Sequence, residues 1–306
     1  MNMINVKLKD GSIREVDENS TVLDLAKSIS KKLAKAAVVG EVNGTLVDLA
    51  YKLKDNDDVN IITYDDEAGI EVMRHTTSHV MAQAVKRLYK DVKLAIGPTV
   101  ENGFYYDFDI ENPLNNEDLV KIEEEMNKII KEDIFLERME VSREEALKLM
   151  EDRVETYKIE LIRELPEGET ISLYKQGDFI DLCRGPHLLS TKGIKDFKLT
   201  SVAGAYWRGN EKNKMLQRVY GVAFANKDIL KDYLDIDFDT TDKIHELAEN
   251  MTKVGNEYDS AKKLIDATNL TIGEVLECEM HPDSDHLHVC KVNVGDEVLQ
   301  IVCGAP

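Results

Sequence analysis

The stretch INVKLKDGSIREV, residues 4–16, alternates apolar and polar residues on either side of an Asp10-Gly11 pair. The apolar members of this alternation are Ile4, Val6, Leu8, Ile13 and Val16. A two-residue period is typical of strands that bury one face, and Asp-Gly is a common hairpin turn. The N-terminus is therefore predicted to form a β-hairpin.

The pattern after this hairpin changes to a helix and then returns to strands. Apolar residues at helical spacing predict a helix over residues 22–33. Short strands are predicted at residues 40–42 and 59–63, and the pair Asn43-Gly44 marks a turn after the first of them. Residues 1–63 are therefore predicted to be a β-grasp domain, an α+β fold in which one helix covers a small sheet.

Residues 68–225 are predicted to form a larger α+β domain. Apolar spacing predicts helices at about 71–88 and 117–131, and Ser142 with Glu145 forms a capping box that opens a third helix. Strands rich in glycine and aromatic residues are predicted from residue 171 to residue 224.

The rest of the chain divides into two further predicted segments. Residues 226–263 form an acidic, helical connector, in which an amphipathic helix has an apolar face made of Ile244, Leu247, Ala248 and Met251. Residues 264–306 return to the alternation that is typical of strands.

Composition limits the classes of function. The 306 residues are 42% hydrophobic and 32% charged, as in folded soluble proteins, and the formal net charge is −20. Such a chain repels phosphates on average, so contact with nucleic acid requires local basic patches. Four cysteines are too few for a disulfide scaffold, and we find no leader and no apolar run of membrane-spanning length. A cytoplasmic protein without a membrane partner is expected.

Two histidines lie on the predicted helix at 71–88. At about 100° per residue, His75 and His79 leave the helix on nearly the same side. That side is opposite the predicted packing stripe, which comprises Met73, Thr77, Val80, Ala84 and Leu88. Such a pair is in itself compatible with two exposed polar residues.

A second pair, Cys183 and His187, follows about a hundred residues later. Gly185-Pro186 separates its members and predicts a turn that directs both side chains the same way. The four side chains are a complete tetrahedral ligand set for zinc. They are equally compatible with a metal-free hydrolytic site, in which Asp181 orients an imidazole or a water. A third, less favoured option is Cys183 as a nucleophile paired with histidine, because ester hydrolysis needs only an activated water.

Residues 191–220 are basic within this acidic chain. They contain Asp196 and Glu211 against seven cationic residues: Lys192, Lys195, Lys198, Arg208, Lys212, Lys214 and Arg218. The charge alone is compatible with a solvated surface and with a surface that contacts phosphates. Phosphate contact is predicted for Lys198, Arg208, Lys212, Lys214 and Arg218.

Several motifs resemble those of bacterial threonyl-tRNA synthetases. They are Arg74 to His79, Leu94 to Pro98, Asn102 to Asp107, Asp181 to His187, and Ala203 to Gly209 with Lys214 to Arg218. The likeness covers residues 1–225 and implies a TGS domain of β-grasp fold followed by an editing domain. In that family the editing domain hydrolyses seryl-tRNA made in error on the threonine tRNA. Such a second site is needed because one methyl group gives only about 1–3 kcal/mol of discrimination.

The resemblance also implies roles for individual residues. His75, His79, Cys183 and His187 are the implied core of the catalytic site, and related alanyl editing domains hold zinc with the same set. Asp181 and Lys158 are implied helpers, for orienting water and for the charged end of the tRNA. The implied partner is the aminoacylated 3′ end of a threonine tRNA.

The sequence departs from that family after residue 225. No class II ligase core, Gly-rich phosphate loop or other ATP site is visible, so this chain alone is expected not to aminoacylate tRNA. Because that core usually dimerises such enzymes, a monomer is favoured. The junction near Ala225 has three candidate explanations: a natural fusion, a truncated gene or a joining error in sequence assembly.

Residues 228–306 resemble a different family, the N-terminal part of the β subunit of bacterial phenylalanyl-tRNA synthetase. The motifs that carry this likeness are Tyr233 to Ile236, Val254 to Tyr258, Ile272-Gly273, His281 to Leu287, Val289 to Val292 and Gly304 to Pro306. The likeness implies a tRNA-binding segment of OB type, with about three of the five strands of that fold.

Three functions stay open for the whole chain. The first is an aminoacyl-tRNA deacylase that hydrolyses mischarged seryl-tRNA. The second is a non-catalytic tRNA-binding module, and the third is a synthetase fragment without independent activity. Release of serine from seryl-tRNA by the purified chain would separate the first from the other two.

Overall fold

The structure is a computed structural model that describes residues 2–234, 274–280, 288–293 and 298–303. The chain divides into two compact units, Met1–Tyr258 and Asp259–Pro306. Its helices and largely antiparallel sheets confirm the predicted α+β class. Most of the predicted connector, including the helix with Ile244, Leu247, Ala248 and Met251, lies outside the described residues.

The N-terminal part is a five-stranded sheet. Its strands are β1 (Met3–Leu8), β2 (Ile13–Asp17), β3 (Ala37–Val42), β4 (Thr45–Val47) and β5 (Asp58–Thr63), in the spatial order β2-β1-β5-β3-β4. The central strands β1 and β5 are parallel, and all other neighbours are antiparallel. This is the β-grasp arrangement that the sequence predicts.

The predicted turns are confirmed, whereas the predicted helix is divided in two. Gly11 has φ +82°, and Asn43 and Gly44 have φ +52° and +79°, as tight hairpin turns require. The single helix predicted at 22–33 is instead α1 (Val22–Ile29) followed by α2 (Lys31–Ala36). The break is at Ser30, whose backbone is extended and whose hydroxyl caps α2 by accepting a hydrogen bond from the N–H of Leu33.

The second part combines helices with two antiparallel sheets. Its helices are α3 (Glu67–Leu88), α4 (Asn116–Lys131), α5 (Arg143–Asp152), α6 (Thr156–Glu164) and α7 (Lys227–Leu234). One sheet has the order β12-β13-β8-β6 with β7 beside β8, and the other has the order β11-β10-β9. Their strands are β6 (Lys93–Leu94), β7 (Thr99–Val100), β8 (Gly103–Asp109), β9 (Leu136–Val141), β10 (Ile171–Gln176), β11 (Phe179–Leu182), β12 (Asp196–Tyr206) and β13 (Met215–Phe224).

Local signals account for several of these boundaries. The predicted capping box is confirmed, because Ser142 accepts from the N–H of Glu145 while the Glu145 carboxylate accepts from the N–H of Ser142. The prediction for α3 was wrong at its start, since the helix begins at Glu67 rather than Glu71. None of the described helices, including the 22-residue α3, has both the length and the apolar character needed to cross a bilayer.

Helix α3 is central to an apolar core that both parts share. Val72, Met73 and Val80 of α3 belong to the same cluster as Phe104 and Phe108 of β8, and as three β-grasp residues: Val38, Val39 and Ile62. Shared burial of this kind removes apolar surface of both parts from water and fixes how they pack.

The prediction that the histidine side of α3 points away from the packing was wrong. His79 is only 4% exposed, because β11 and the turn after it cover this side of the helix. The predicted stripe also fails at its C-terminal end, where Leu88 is 40% exposed.

The last described strands form a separate three-stranded antiparallel sheet. They are β14 (Glu274–Met280), β15 (His288–Asn293) and β16 (Val298–Cys303), in that spatial order. Within the described ranges this matches the three strands predicted for residues 264–306.

Candidate active site

Three imidazoles and one thiol meet between α3 and the turn that follows β11. Cys183 Sγ lies 3.3 Å from His75 Nε2 and 3.3 Å from His187 Nε2. The ring centroids of His75 and His79 are each 4.3 Å from that of His187. All four candidate ligand atoms lie within 4.8 Å of one another. The structure thus brings together the two residue pairs that lie about a hundred positions apart in the sequence.

The backbone between Cys183 and His187 explains why their side chains converge. Gly185 has φ +70°, which favours glycine, and its N–H donates to Cys183 Sγ at 3.2 Å. Ser172 of β10 anchors the start of the turn, because its Oγ donates to the carbonyl of Cys183 at 2.6 Å and its own carbonyl accepts from the Cys183 N–H at 3.2 Å. The peptide bond between Gly185 and Pro186 is cis.

Thr76 of α3 determines which nitrogen of His187 carries the proton. The hydroxyl of Thr76 donates to the carbonyl of Val72 at 2.9 Å, accepts from the N–H of Leu188 at 3.0 Å, and lies 3.1 Å from His187 Nδ1. A hydroxyl has one proton, so His187 Nδ1 must be the donor in the third contact. Nε2 of His187 is then unprotonated and directs its lone pair toward Cys183.

Beside the imidazoles lies a buried polar network of Lys158, Asp181 and Tyr106. Tyr106 donates to Asp181 Oδ2 at 2.6 Å, and Lys158 Nζ donates to the Tyr106 hydroxyl at 2.9 Å. Lys158 Nζ also lies 2.6 Å from Asp181 Oδ1, so the two groups form a buried salt bridge. His79 Nε2 is 3.8 Å from Asp181 Oδ2. Asp181 therefore connects this network to the imidazole cluster.

Burial controls the protonation of the cluster. It lowers the pKa of His75 to about 4 and that of His79 to about 3, and it lowers the pKa of His187 well below its ordinary value. Burial also raises the pKa of Cys183 to about 12. Burial alone would raise the pKa of Asp181 as well, but the charge of Lys158 holds it below its ordinary value. At neutral pH the histidines are neutral and Asp181 is ionised.

These pKa values discriminate among the three chemistries that the sequence leaves open. A thiol with a pKa of about 12 is protonated at neutral pH, which disfavours Cys183 as a nucleophile. Imidazoles with pKa values of about 3 and 4 are weak bases, since an efficient general base has a pKa near the working pH. Neutral imidazoles, however, are the form that binds metal ions. The neutral imidazoles therefore suit a ligand set, in which Cys183 would have to lose its proton when a metal ion binds.

The donor set fits a zinc ion. Zinc binds nitrogen at about 2.0–2.1 Å and sulfur at about 2.3 Å in a tetrahedron, which places neighbouring ligand atoms about 3.3–3.7 Å apart. The two 3.3 Å contacts of Cys183 Sγ are close to this length, and all four ligand atoms lie within 4.8 Å of one another. The hydrogen bond at His187 Nδ1 leaves Nε2 available, as is usual for histidine ligands.

Ion pairing occupies most of the predicted phosphate-binding residues. Lys198 contacts Glu123 at 2.8 Å, and Lys214 contacts Asp109 at 2.6 Å. Arg208 contacts Glu160 at 2.9 Å and Glu164 at 2.6 Å. These carboxylates come from α4, α6 and β8, so a count of charges along residues 191–220 does not include them.

Arg218 and Lys212 differ in their pairing with acidic residues. Arg218 donates from Nε and from Nη2 to the two carboxylate oxygens of Asp107, at 2.6 and 2.9 Å, and its guanidinium lies 3.9 Å from the centroid of the Tyr105 ring. Lys212, by contrast, has no acidic partner among the described residues. Phosphate contact by these residues stays a prediction.

Three residues around the site are absent from the predicted set. Tyr106 could have been found, because it alternates with Phe104 and Phe108 on the buried face of β8. Thr76 lies within the motif Arg74 to His79, but its spacing does not indicate its contact with His187. Asp48 accepts from the N–H of His187 at 2.9 Å from the β-grasp part, and no local pattern could have indicated that contact.

Three models of known protein families match separate stretches of the chain. Residues 4–63 match the TGS domain, and residues 171–220 match the threonyl and alanyl tRNA synthetase second additional domain. Residues 270–306 match a putative tRNA binding domain. This last match gives only general support to the predicted likeness to the phenylalanyl-tRNA synthetase β subunit.

Similar curated proteins include several threonine–tRNA ligases. The chain is 64% identical to that of Acetivibrio thermocellus over 232 residues, which are 76% of this chain and 36% of that protein. It is 58% identical to the ligase of Caldanaerobacter subterraneus subsp. tengcongensis over 229 residues, which are 75% of this chain and 36% of that protein. It is 50% identical to the ligase of Carboxydothermus hydrogenoformans over 257 residues, which are 84% of this chain and 40% of that protein.

These matches support the predicted likeness to a segment of threonyl-tRNA synthetases. The chain spans 36–40% of the length of these curated relatives. A match over 232 of 306 residues extends to residue 232 or beyond, so it passes the predicted boundary at Ala225. Helix α7 also packs on β13, through Leu230 against Val222 and Phe224.

Proposed function

We propose that this chain is an aminoacyl-tRNA deacylase that hydrolyses the ester bond of seryl-tRNA formed in error on a threonine tRNA. The observation that supports this most directly is the buried convergence of His75, His79, Cys183 and His187 beside the ion pair of Lys158 and Asp181. The likeness of residues 171–220 to the additional domain of threonyl and alanyl tRNA synthetases agrees with this substrate class.

The chain's own groups have distinct tasks in this reaction. Asp181 Oδ1 lies 2.6 Å from Lys158 Nζ, and a carboxylate oxygen has a second lone pair that can accept a hydrogen bond from the attacking water. Lys158 and Tyr106 keep that carboxylate ionised and fixed. Water adds to the ester carbonyl, and the ribose hydroxyl of the tRNA leaves with a proton. A positioned, desolvated water of this kind removes much of the entropic cost of hydrolysis.

We further propose that His75, His79, Cys183 and His187 hold zinc. When bound, zinc supplies a Lewis acid and lowers the pKa of a water ligand. The role of the four residues is to bind and orient it, because their depressed imidazole pKa values keep the nitrogens available at neutral pH. The partner in this proposal is the aminoacylated 3′ end of tRNA, with Lys198, Arg208, Lys212, Lys214 and Arg218 near the phosphates.

The test is hydrolysis of seryl-tRNA and threonyl-tRNA by the purified chain, with and without a chelator. We expect release of serine, slower release of threonine, and loss of activity in His79→Ala. Leu88→Ala is the matched control, because Leu88 lies on the same helix but is exposed. A His79→Ala variant that folds and hydrolyses seryl-tRNA at the wild-type rate would reject the proposal.

The same assay addresses the non-catalytic alternative. A chain that binds tRNA but hydrolyses neither ester would be a binding module, a reading that the putative tRNA binding domain at residues 270–306 keeps open. Filter binding of uncharged tRNA, measured in parallel, separates a binding module from a fragment without activity.

A further inference from the structure

A carboxylate of the β-grasp part reaches the turn that contains Cys183 and His187. Asp48 directly follows β4, and its Oδ1 accepts a hydrogen bond from the His187 N–H at 2.9 Å. Its Oδ2 accepts from the Tyr174 hydroxyl at 2.8 Å. One side chain thus binds both the backbone of a cluster residue and the aromatic ring that packs against it.

Tyr174 holds the other side of the same turn. Its ring lies edge-on to the His187 imidazole, with the centroids 4.4 Å apart. Its hydroxyl occupies the space beside Gly185, where an added Cβ would lie 1.9 Å from the oxygen. The hydrogen bond that the Tyr174 hydroxyl donates to Asp48 therefore keeps Tyr174 against the turn, and a change at Asp48 affects two supports of His187 at once.

The His187 N–H depends on this carboxylate. His187 is fully buried, and Asp48 is the acceptor that the structure provides for its N–H. A buried N–H that loses its acceptor is costly, so the backbone would shift to find another partner. Thr76 binds the His187 ring, whereas Asp48 binds its backbone. A shift of the backbone relative to Thr76 would therefore displace Nε2 of His187.

We infer that Asp48 is a positioning residue for the deacylase site, so that the β-grasp part contributes directly to the geometry of His187. This inference rests on the proposed function for its kinetic consequence. Its structural part, the dependence of His187 on Asp48, is independent of activity.

A second bond between the two parts provides the control. The hydroxyl of Tyr64, directly after β5, donates to the carbonyl of Gly193 at 2.6 Å, and Gly193 lies outside the turn at Cys183–His187. If Asp48 only fastened the two parts together, Tyr64→Phe and Asp48→Ala would have similar effects on the site. If Asp48 positions His187, only the Asp48 variant changes it.

The experiment compares Asp48→Ala, Asp48→Asn and Tyr64→Phe in the full chain. For Asp48→Ala we expect kcat for seryl-tRNA to fall about 10–100-fold, as for other residues that orient a ligand, with KM changed less than about threefold. Asp48→Asn keeps an oxygen for the His187 N–H and should retain most of the activity. Tyr64→Phe should leave kcat unchanged.

The activity-independent readout is the NMR spectrum of protein with ¹⁵N-labelled histidine. Asp48→Ala should move the backbone and ring signals of His187, and Tyr64→Phe should not. Unmoved His187 signals in Asp48→Ala, or equal shifts in Tyr64→Phe, would overturn the inference. If the wild-type chain releases no serine, the proposed function fails while these spectra still decide the role of Asp48.

A further variant covers failure of Asp48→Ala to fold. Tyr174→Phe removes only the bond between the Tyr174 hydroxyl and Asp48 Oδ2. We expect it to move the His187 signals by less than loss of the carboxylate would. No movement at all in a folded Tyr174→Phe variant would contradict the coupling of Asp48 to the turn.

Discussion

Lys158 and Asp181 form an ion pair that is almost completely removed from water. Their Nζ and Oδ1 atoms are 2.6 Å apart, and the two side chains are 4% and 2% exposed. Taking two charges out of water costs several kcal/mol each, which their attraction and further hydrogen bonds must offset. Here Tyr106 supplies two of those hydrogen bonds.

Removing one partner of this pair should be more harmful than removing both charges. Lys158→Met leaves the Asp181 carboxylate buried without its cation, which should cost about 3–5 kcal/mol of unfolding free energy. The double variant Lys158→Met/Asp181→Asn should recover part of that loss. Urea unfolding of the two single variants and the double variant at pH 7 measures this coupling.

The exposed ion pair of Lys192 and Asp133, 3.4 Å apart, is the control for the buried one. Lys192→Met should leave the unfolding free energy unchanged, because water screens exposed pairs. If Lys158→Met were no more destabilising than Lys192→Met, the Lys158–Asp181 pair would not be structurally important.

The buried histidines should make the metal-free protein less stable as the pH falls. Their pKa values lie below the unfolded value of about 6.5, at about 4 for His75 and about 3 for His79. The unfolded chain therefore binds protons that the folded chain does not. The histidines' contribution to the unfolding free energy is fully present above about pH 6.5. Below that pH the unfolding free energy decreases by roughly 1.4 kcal/mol per pH unit for each histidine that stays neutral when folded.

The pH prediction is tested by difference, because other groups also titrate. Unfolding free energies of the chelator-treated wild type and of His79→Asn are measured from about pH 7.5 to about pH 5, because this range includes the unfolded histidine pKa of about 6.5. The wild-type curve should fall more steeply. Parallel curves would show that His79 takes up protons equally in both states.

The parts of the fold that the sequence predicts are those with local signals. The alternation around Asp10-Gly11 and the Asn43-Gly44 turn predict the β-grasp strands, because strand period and turn chemistry are properties of neighbouring residues. Ser30 shows the limit of that approach. A serine is compatible with a helix interior or with a cap, and only its extended backbone in the structure shows that it caps α2.

The candidate site follows the same rule. His75 with His79, and Cys183 with His187, could be predicted as pairs from their spacing, and the family resemblance joined the two pairs. The contacts of Asp48 and Thr76 with His187 could not be predicted from the sequence, because they join positions more than a hundred residues apart. The carboxylates that pair with the basic residues of 191–220 were missed for the same reason.

Gly185 should not tolerate alanine, although its conformation alone would permit a small side chain at moderate cost. Gly209 has a similar φ, +66° against +70°, but nothing lies within 4 Å of its absent Cβ. Both substitutions carry the penalty of the left-handed region, roughly 1–2 kcal/mol. Gly185→Ala should lose about 1–3 kcal/mol more, because its Cβ would overlap the Tyr174 hydroxyl.

Thermal and urea unfolding of Gly185→Ala and Gly209→Ala measure that difference. Seryl-tRNA hydrolysis should fall only in Gly185→Ala, since Tyr174 must move away from the turn that holds Cys183 and His187. Equal losses of stability in both variants would mean that the space beside Gly185 can be enlarged without strain.

Among the predicted phosphate contacts, Lys212 should matter more for tRNA binding than Lys198. Lys212 has no acidic partner within the described part of the chain, whereas Lys198 is paired with Glu123 at 2.8 Å. A phosphate that binds Lys198 must compete with that carboxylate, but one that binds Lys212 releases counterions directly.

Lys212→Gln should therefore lower the affinity for tRNA and reduce the slope of log K against log salt by roughly 0.7–0.9. Lys198→Gln, measured by filter binding between 50 and 200 mM salt as a working range of about that width, should change both quantities less. Equal effects of the two substitutions would show that the ion pair with Glu123 opens when tRNA binds, and equal absence of effects would move the phosphate path away from residues 191–220.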